Sequence, residues 1–165
     1  MQDVVAAAHR HPPHGRGTVG MVQVFPNSRN VIPGRIKFSI DLRNSTDTLV
    51  DAMAAEVKAF ADQVAKEHGV QVHIEMVSSY PAQLFQPECV QAVGRAAAKL
   101  GYSHMPAVSG AGHDAVYMAK LAPSGMIFIP CKDGISHNEI EDAKPEHIEA
   151  GCNVLLHAML ERAGT

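Results

Sequence analysis

Residues 35–43, Arg-Ile-Lys-Phe-Ser-Ile-Asp-Leu-Arg, alternate without a break between polar and apolar side chains. A strand turns successive side chains to opposite faces. Ile36, Phe38, Ile40 and Leu42 therefore share one face, and Arg35, Lys37, Ser39, Asp41 and Arg43 share the other. Such a strand is buried on one side only, so another element has to cover its apolar face.

The cover comes next in the chain. Thr46 is suited to cap a helix in which Leu49, Val50, Met53, Val57, Phe60 and Val64 follow the helical period, and Gly69 stops it. A third alternating segment follows, with Val70, Val72, Ile74 and Met76 inward. Upstream, Thr18 to Phe25 reads as a strand, and Pro26-Asn27 as a turn. Pro33-Gly34 is a tight-turn signal that puts Asn30 near the bend, beside the strand. Val4 to Ala8 reads as the frayed end of a helix, closed by the breaker run His11-Pro12-Pro13-His14-Gly15. Together these elements predict an antiparallel sheet covered by helices, an α+β lobe.

At Ser78-Ser79-Tyr80-Pro81 the pattern changes. A helix opened by Pro87 and stopped by Gly101, a short strand ending at Val108, and a helix from His113 to about Leu121 come in turn. A buried strand from Gly125 to Pro130, a polar loop from Cys131 to Asp142 and a last helix from Pro145 complete the chain. That last helix is expected to bury Ile148, Cys152, Leu155, Leu156 and Met159. Alternating helices and strands are α/β grammar, so the chain reads as two lobes, 1–78 and 79–165.

Composition removes several function classes. Hydrophobic residues make up 46% and charged residues 19% of the 165, which is not the composition of a disordered chain. A formal charge of −3 carries no basic footprint, so neither nucleic acid nor an anionic membrane is an expected partner. Three widely spaced cysteines (Cys89, Cys131 and Cys152) argue for a reducing compartment, and they read as buried small residues. No apolar run has the length of a membrane span, and the first residues lack a signal-peptide pattern. The expectation is a soluble cytoplasmic protein.

Chemistry can sit in two loops that follow short strands, the usual ligand position in α/β sheets. Ser-Gly-Ala-Gly-His-Asp-Ala (109–115) offers small residues and exposed amides, and it reads equally well as a tight strand-to-helix turn. Asp-Gly-Ile-Ser-His-Asn-Glu (133–139) carries His137, which is either a metal ligand or an ordinary surface histidine. His113 and His137 recur after consecutive strands, at one edge of a sheet. On the first lobe, Arg43 can hold a carboxylate in a two-pronged fork, or simply end an exposed strand. His9, His11 and His14 resemble a small metal tract but read more simply as exposed residues of a Pro-rich turn, and His68, His73, His104, His147 and His157 read as surface positions. A hydrolytic metal site needs three or more protein ligands, and the chain has no H-E-x-x-H, His-x-Asp or Glu-Glu pattern to supply them.

Four motifs in order carry a resemblance: Asn-Val-Ile-Pro-Gly (30–34), Asp-Leu-Arg-Asn (41–44), residues 109–115, and Met-Ile-Phe-Ile-Pro with Gly-Ile-Ser-His-Asn-Glu (126–139). The chain resembles the carboxy-terminal part of the N-carbamoyl-L-amino-acid hydrolase and allantoate amidohydrolase family, metal-dependent amidohydrolases related to the M20 peptidases. The resemblance implies a partial α/β catalytic domain at 79–165 and a partial ferredoxin-like lid or dimerisation domain at 1–78. It implies that His137 is a metal ligand, that Asn30 and Arg43 hold the polar end of the substrate, and that Gly112 and His113 line the pocket. It implies two divalent metal ions (Zn, Mn, Co or Ni) in the complete enzyme, with at most one ligand here. It also implies a ureido and carboxylate substrate, and a homodimer paired through the lid. The other metal ligands and the general base would lie upstream of Met1, in a missing amino-terminal portion, so no catalytic residue is assigned to this chain and it is expected to be silent alone.

Overall fold

In the computed structural model, which describes residues 1–164, the alternating stretch at 35–43 makes two strands instead of one. Two compact units, Met1–Ala82 and Gln83–Thr165, divide the chain. The first contains helix α1 (Gln2–Arg10), strands β1 (Arg16–Thr18), β2 (Val22–Phe25), β3 (Arg35–Phe38) and β4 (Asp41–Arg43), and helix α2 (Asp47–His68). β1 pairs antiparallel with β4, matching Gly17 to Leu42, and β2 with β3, matching Val24 to Ile36. Between the two ladders, Val19, Gly20 and Met21 stand opposite only Ser39 and Ile40. One extra residue on one strand is a bulge, which kinks the ribbon and interrupts both predicted strands. The Ser39 N–H still reaches the Met21 carbonyl at 3.1 Å, so the ribbon is bent and not severed.

The bend separates two environments. On one side α1 and α2 cover β1 and β4, and Val4, Ala7 and Val57 form a core with Val19, Ile40 and Leu42 packed against it. On the other side Ile36 and Phe38, on the same sequence face, remain exposed at 49% and 38%. α1 is therefore a core element and not the frayed end expected from its short apolar run. Close approach explains its seat: a Cβ on Gly17 would run into the Val4 carbonyl, and one on Gly15 into the Ala8 carbonyl. Glu56 of α2 ties α1 down further, accepting from Arg10 Nε at 2.8 Å and meeting His11 Nε2 at 2.7 Å. His11 is thus half-buried and partnered, unlike the exposed turn histidine expected.

α2 starts and stops as its sequence predicts. The Thr46 hydroxyl accepts from the Leu49 N–H at 3.4 Å, and Gly69 closes the helix at a φ of +64°, where a side chain would be strained. Residues 70–76 form no strand, and Val70, Val72 and Ile74 are exposed. A strand exists only when a neighbour takes up its backbone N–H and C=O groups, and none pairs with this segment among the described residues. The first unit also runs slightly past the expected boundary, because the Asp47 carboxylate accepts the Ala82 N–H at 2.7 Å.

The second unit is built on helices α3 (Pro87–Lys99) and α5 (Pro145–Ala163), with the short α4 (Ala115–Met118) and a 3-10 turn at Lys132–Gly134 between them. Ala92, Ala96 and Ala97 of α3 meet Val154 and Ala158 of α5, with Val93, Leu100, Tyr102 and Ile127 against them. Arg95 Nε donates to Glu161 at 3.1 Å across the same pair, and the Glu161 carboxyl lies below its usual range chiefly because of that bond. The expected core face of α5 is corrected: Ile148, Cys152, Leu155, Leu156 and Met159 are all exposed. Hydrophobic periodicity cannot choose between two apolar faces of one helix, and the small residues let α3 approach on the other face. Likewise the segment ending at Val108 and residues 125–130, both expected as strands, form no strand among the described residues. Gln86 ties the second segment to the start of α3, its Oε1 accepting the Ser124 N–H at 2.7 Å and its N–H reaching the Ser124 carbonyl at 3.3 Å.

Candidate functional site

Arg43 ends β4 and faces Asp41, two residues back on the same strand face. Nε donates to Asp41 Oδ1 at 2.7 Å and Nη2 to Oδ2 at 2.9 Å, the two-pronged geometry that guanidinium makes with any carboxylate. That bond is the main reason the Asp41 carboxyl sits below its usual range, with burial opposing it; Arg43 is raised in turn by the same contact. Both side chains are about half exposed, 49% for Arg43 and 51% for Asp41. Asn30 lies in the loop joining β2 and β3, where its Oδ1 accepts from the Ser28 hydroxyl at 3.0 Å. The base of that loop is closed by the Gly34 N–H on the Phe25 carbonyl at 3.0 Å and by the Arg35 guanidinium 4.3 Å over the Phe25 ring. Arg43 therefore stands on a paired strand, and Asn30 on an exposed turn beyond the bulge.

In the second unit, Gly112 and His113 lie in the exposed loop before α4. His113 Nδ1 accepts the Ala115 N–H at 3.0 Å, so this imidazole caps the helix start. Ser109 folds back on the same loop, donating to the Ala111 carbonyl at 2.9 Å. His137 lies in the loop from 131 to 142, whose ends are joined by the Lys132 N–H on the Asp142 carbonyl at 2.7 Å. Its backbone is left-handed, with a φ of +57°. Its N–H donates to Glu141 Oε2 at 2.7 Å, and its Nδ1 lies 3.1 Å from the Ser136 hydroxyl. A hollow of about 290 Å³ opens beside the loop, lined by Pro130, Cys131, Lys132, Asp133, Asp142, Lys144 and His147.

Residues 3–161 match the family model described as peptidase family M20/M25/M40. The chain belongs to this family. It is 45% identical over 163 residues to the N-carbamoyl-L-amino-acid amidohydrolase of Rhizobium meliloti, covering 99% of this chain and 39% of the relative. A crystal structure of an amidase of the hydantoinase/carbamoylase family from Burkholderia multivorans matches 97% of this chain and 39% of its own, with a TM-score of 0.92 and 52% identity. The allantoate amidohydrolase of Bacillus subtilis is 29% identical over 152 residues, covering 92% of this chain and 37% of the relative. The chain thus spans about two fifths of the length of the relatives it matches. Membership of the M20/M25/M40 family brings with it the mixed α/β fold class expected from the sequence.

A metal centre of the implied kind does not fit the donors of this chain alone. Among the described residues, no three His, Cys, Asp or Glu side chains converge where an ion could be held. A protein metal site ordinarily draws three or more ligands, so His137 can be one donor in a larger set. Asn30 is held by Ser28, Arg43 by Asp41, His113 by the Ala115 N–H, and His137 by Ser136 and Glu141. Among the described residues, no helix is long and apolar enough to cross a membrane.

Several polar residues were missed by sequence reasoning. Asp41 had a signal, standing at the same-face spacing from Arg43. Glu141, Ser136 and Gln86 had none, because their roles depend on loop closure. His147 and His157 are half-buried and not on the surface, and the Nδ1 of His147 is buried without a hydrogen-bond partner among the described residues. The cysteines are also less buried than expected, with Cys89 and Cys131 intermediate and Cys152 exposed.

Proposed function

We propose that this chain is part of a metal-dependent amidohydrolase that hydrolyses the carbamoyl amide C–N bond of N-carbamoyl-L-amino acids. The observation that carries the reading is the 45% identity to the Rhizobium meliloti N-carbamoyl-L-amino-acid amidohydrolase over 99% of this chain. Water adds across the ureido C–N bond, and the products are an amino acid, carbon dioxide and ammonia. In this reading residues 1–78 belong to a lid that pairs two subunits of a cytoplasmic homodimer, and 79–165 close the catalytic domain. Arg43 takes the substrate carboxylate with the fork that now holds Asp41, so binding there is an exchange of one carboxylate for another. The Asn30 amide serves the same polar end, and the Gly112-His113 turn lines the pocket. Divalent ions (Zn, Mn, Co or Ni) would be held by a donor set to which this chain adds His137, the other ligands and the general base coming from the rest of the enzyme.

Allantoate is the second reading, supported by the 29% identity to the Bacillus subtilis allantoate amidohydrolase and by the ureido and carboxylate groups common to both substrates. Steady-state ammonia release separates them. The metal-loaded enzyme completed with the other three fifths of a family chain is expected to have a higher kcat/KM on N-carbamoyl-L-amino acids than on allantoate. The 165-residue chain alone is expected to release no ammonia. Enzyme-like turnover by the isolated chain, or a completed enzyme inert toward both substrates, would overturn the proposal.

A further inference from the structure

The geometry points to Glu141 as the positioning residue for His137, and we propose that its carboxylate fixes the direction in which that imidazole is presented. The inference rests on the reading of His137 as the functional imidazole of this loop. His137 is one of three non-glycine residues with positive φ among the described residues, at +57°. An L side chain rarely stays there unless its surroundings hold it, because Cβ crowds the neighbouring carbonyl. Here the surroundings are specific. The His137 N–H donates to Glu141 Oε2 at 2.7 Å, a charge-assisted bond of short length.

Glu141 is itself held. Its N–H donates to the Asn138 carbonyl at 3.0 Å, while Asn138 Oδ1 accepts the Ile140 N–H at 3.2 Å. The turn from 138 to 141 thus brings the carboxylate back under residue 137, and the ends of the whole loop are joined at Lys132 and Asp142. Rotation of residue 137 out of the left-handed region would break the bond to Glu141 and swing Cβ, and the ring with it, to another direction. Ser136 lies 3.1 Å from Nδ1, which leaves Nε2 as the ring nitrogen directed elsewhere. The bond to Glu141 is made by the backbone N–H of His137, so Glu141 acts through that residue as a positioning group.

Nuclear magnetic resonance on the isotope-labelled 165-residue chain tests this, comparing Glu141→Ala with Glu141→Gln, whose amide oxygen still accepts. The unsubstituted chain and Glu141→Gln are expected to show the strong intraresidue amide-to-Hα Overhauser effect of a positive φ at residue 137. In Glu141→Ala that effect is expected to vanish, and the residue 137 amide to exchange with solvent about tenfold faster, the factor one hydrogen bond supplies. Resonances of α3 and α5 are expected to stay in place, which a general loss of structure would not allow. A Glu141→Ala chain that keeps both the Overhauser effect and the slow exchange overturns the proposal, and so does a Glu141→Gln chain that loses them. Should Glu141→Ala disturb α3 and α5, the unsubstituted chain decides: an effect of ordinary negative-φ strength at residue 137 overturns the proposal. The reading of His137 fails separately. A completed enzyme carrying His137→Ala that retains its kcat would refute that reading, whatever the resonances of residue 137 show.

Discussion

The two units build their cores from different materials. The first buries Met53 completely, with Val4, Ala7, Ala8 and Val57. The second buries Ala92, Ala96, Ala97, Ala119, Val154 and Ala158, nearly all alanine, while larger side chains of α5 such as Leu155 and Met159 stay exposed. Where a large side chain such as Met53 fills the interior, removing atoms leaves a hole. A core of alanines is held by proximity: two helix backbones come close because nothing separates them, and adding atoms is what disrupts it. The same division runs through the candidate residues. Arg43 is placed by a hydrogen-bonded ladder, whereas His113 and His137 are placed by side chain and backbone contacts within their own loops.

Substitutions test the contrast directly. Met53→Ala carries the largest expected effect, a loss of about 3 kcal/mol in urea unfolding followed by circular dichroism. Hydrogen exchange is expected to rise first in α1 and α2. Ala96→Leu is expected to cost about 2 kcal/mol by forcing α3 from α5. A neutral outcome would show that the alanine face is loosely packed, and the comparison would fall. Thr46→Ala is expected to cost about 0.5 kcal/mol, at the low end for a helix cap, because the bond to Leu49 is long at 3.4 Å.

The smallest effect concerns the Asp41–Arg43 pair. The folded Asp41 carboxyl lies below its ordinary value, so its contribution is fully present above that value and is lost as pH falls through the lowered one. Because both groups are half exposed, that contribution is about 0.3 kcal/mol. Asp41→Asn is expected to flatten the acid side of the stability profile by this amount below about pH 4 and to leave the neutral side nearly parallel. An unchanged acid limb in pH-dependent urea midpoints would show that the pair carries no net stabilisation.

Much of this was legible in the sequence because it depends on near neighbours. The span of α2, its Thr46 cap and its Gly69 stop follow from residues within a few positions of one another. The same holds for the two loops carrying His113 and His137, which lie outside regular strands as their small and polar residues require. The bulge was only partly legible: Gly20, a lone glycine inside the expected strand from Thr18 to Phe25, favours one, but nothing local fixes one extra residue against Ser39 and Ile40. The clasp of Glu141 on His137 was hidden, because it depends on how a loop closes on itself.

The family, the alternation at 35–43 and the identity of the candidate side chains are all encoded in local order and spacing. Tertiary structure decided which apolar faces are covered, which alternating segments become strands, and which way His137 and Arg43 are held. The reason is physical: periodicity names a face that can be buried, but a face is buried and a strand exists only when another part of the molecule meets it.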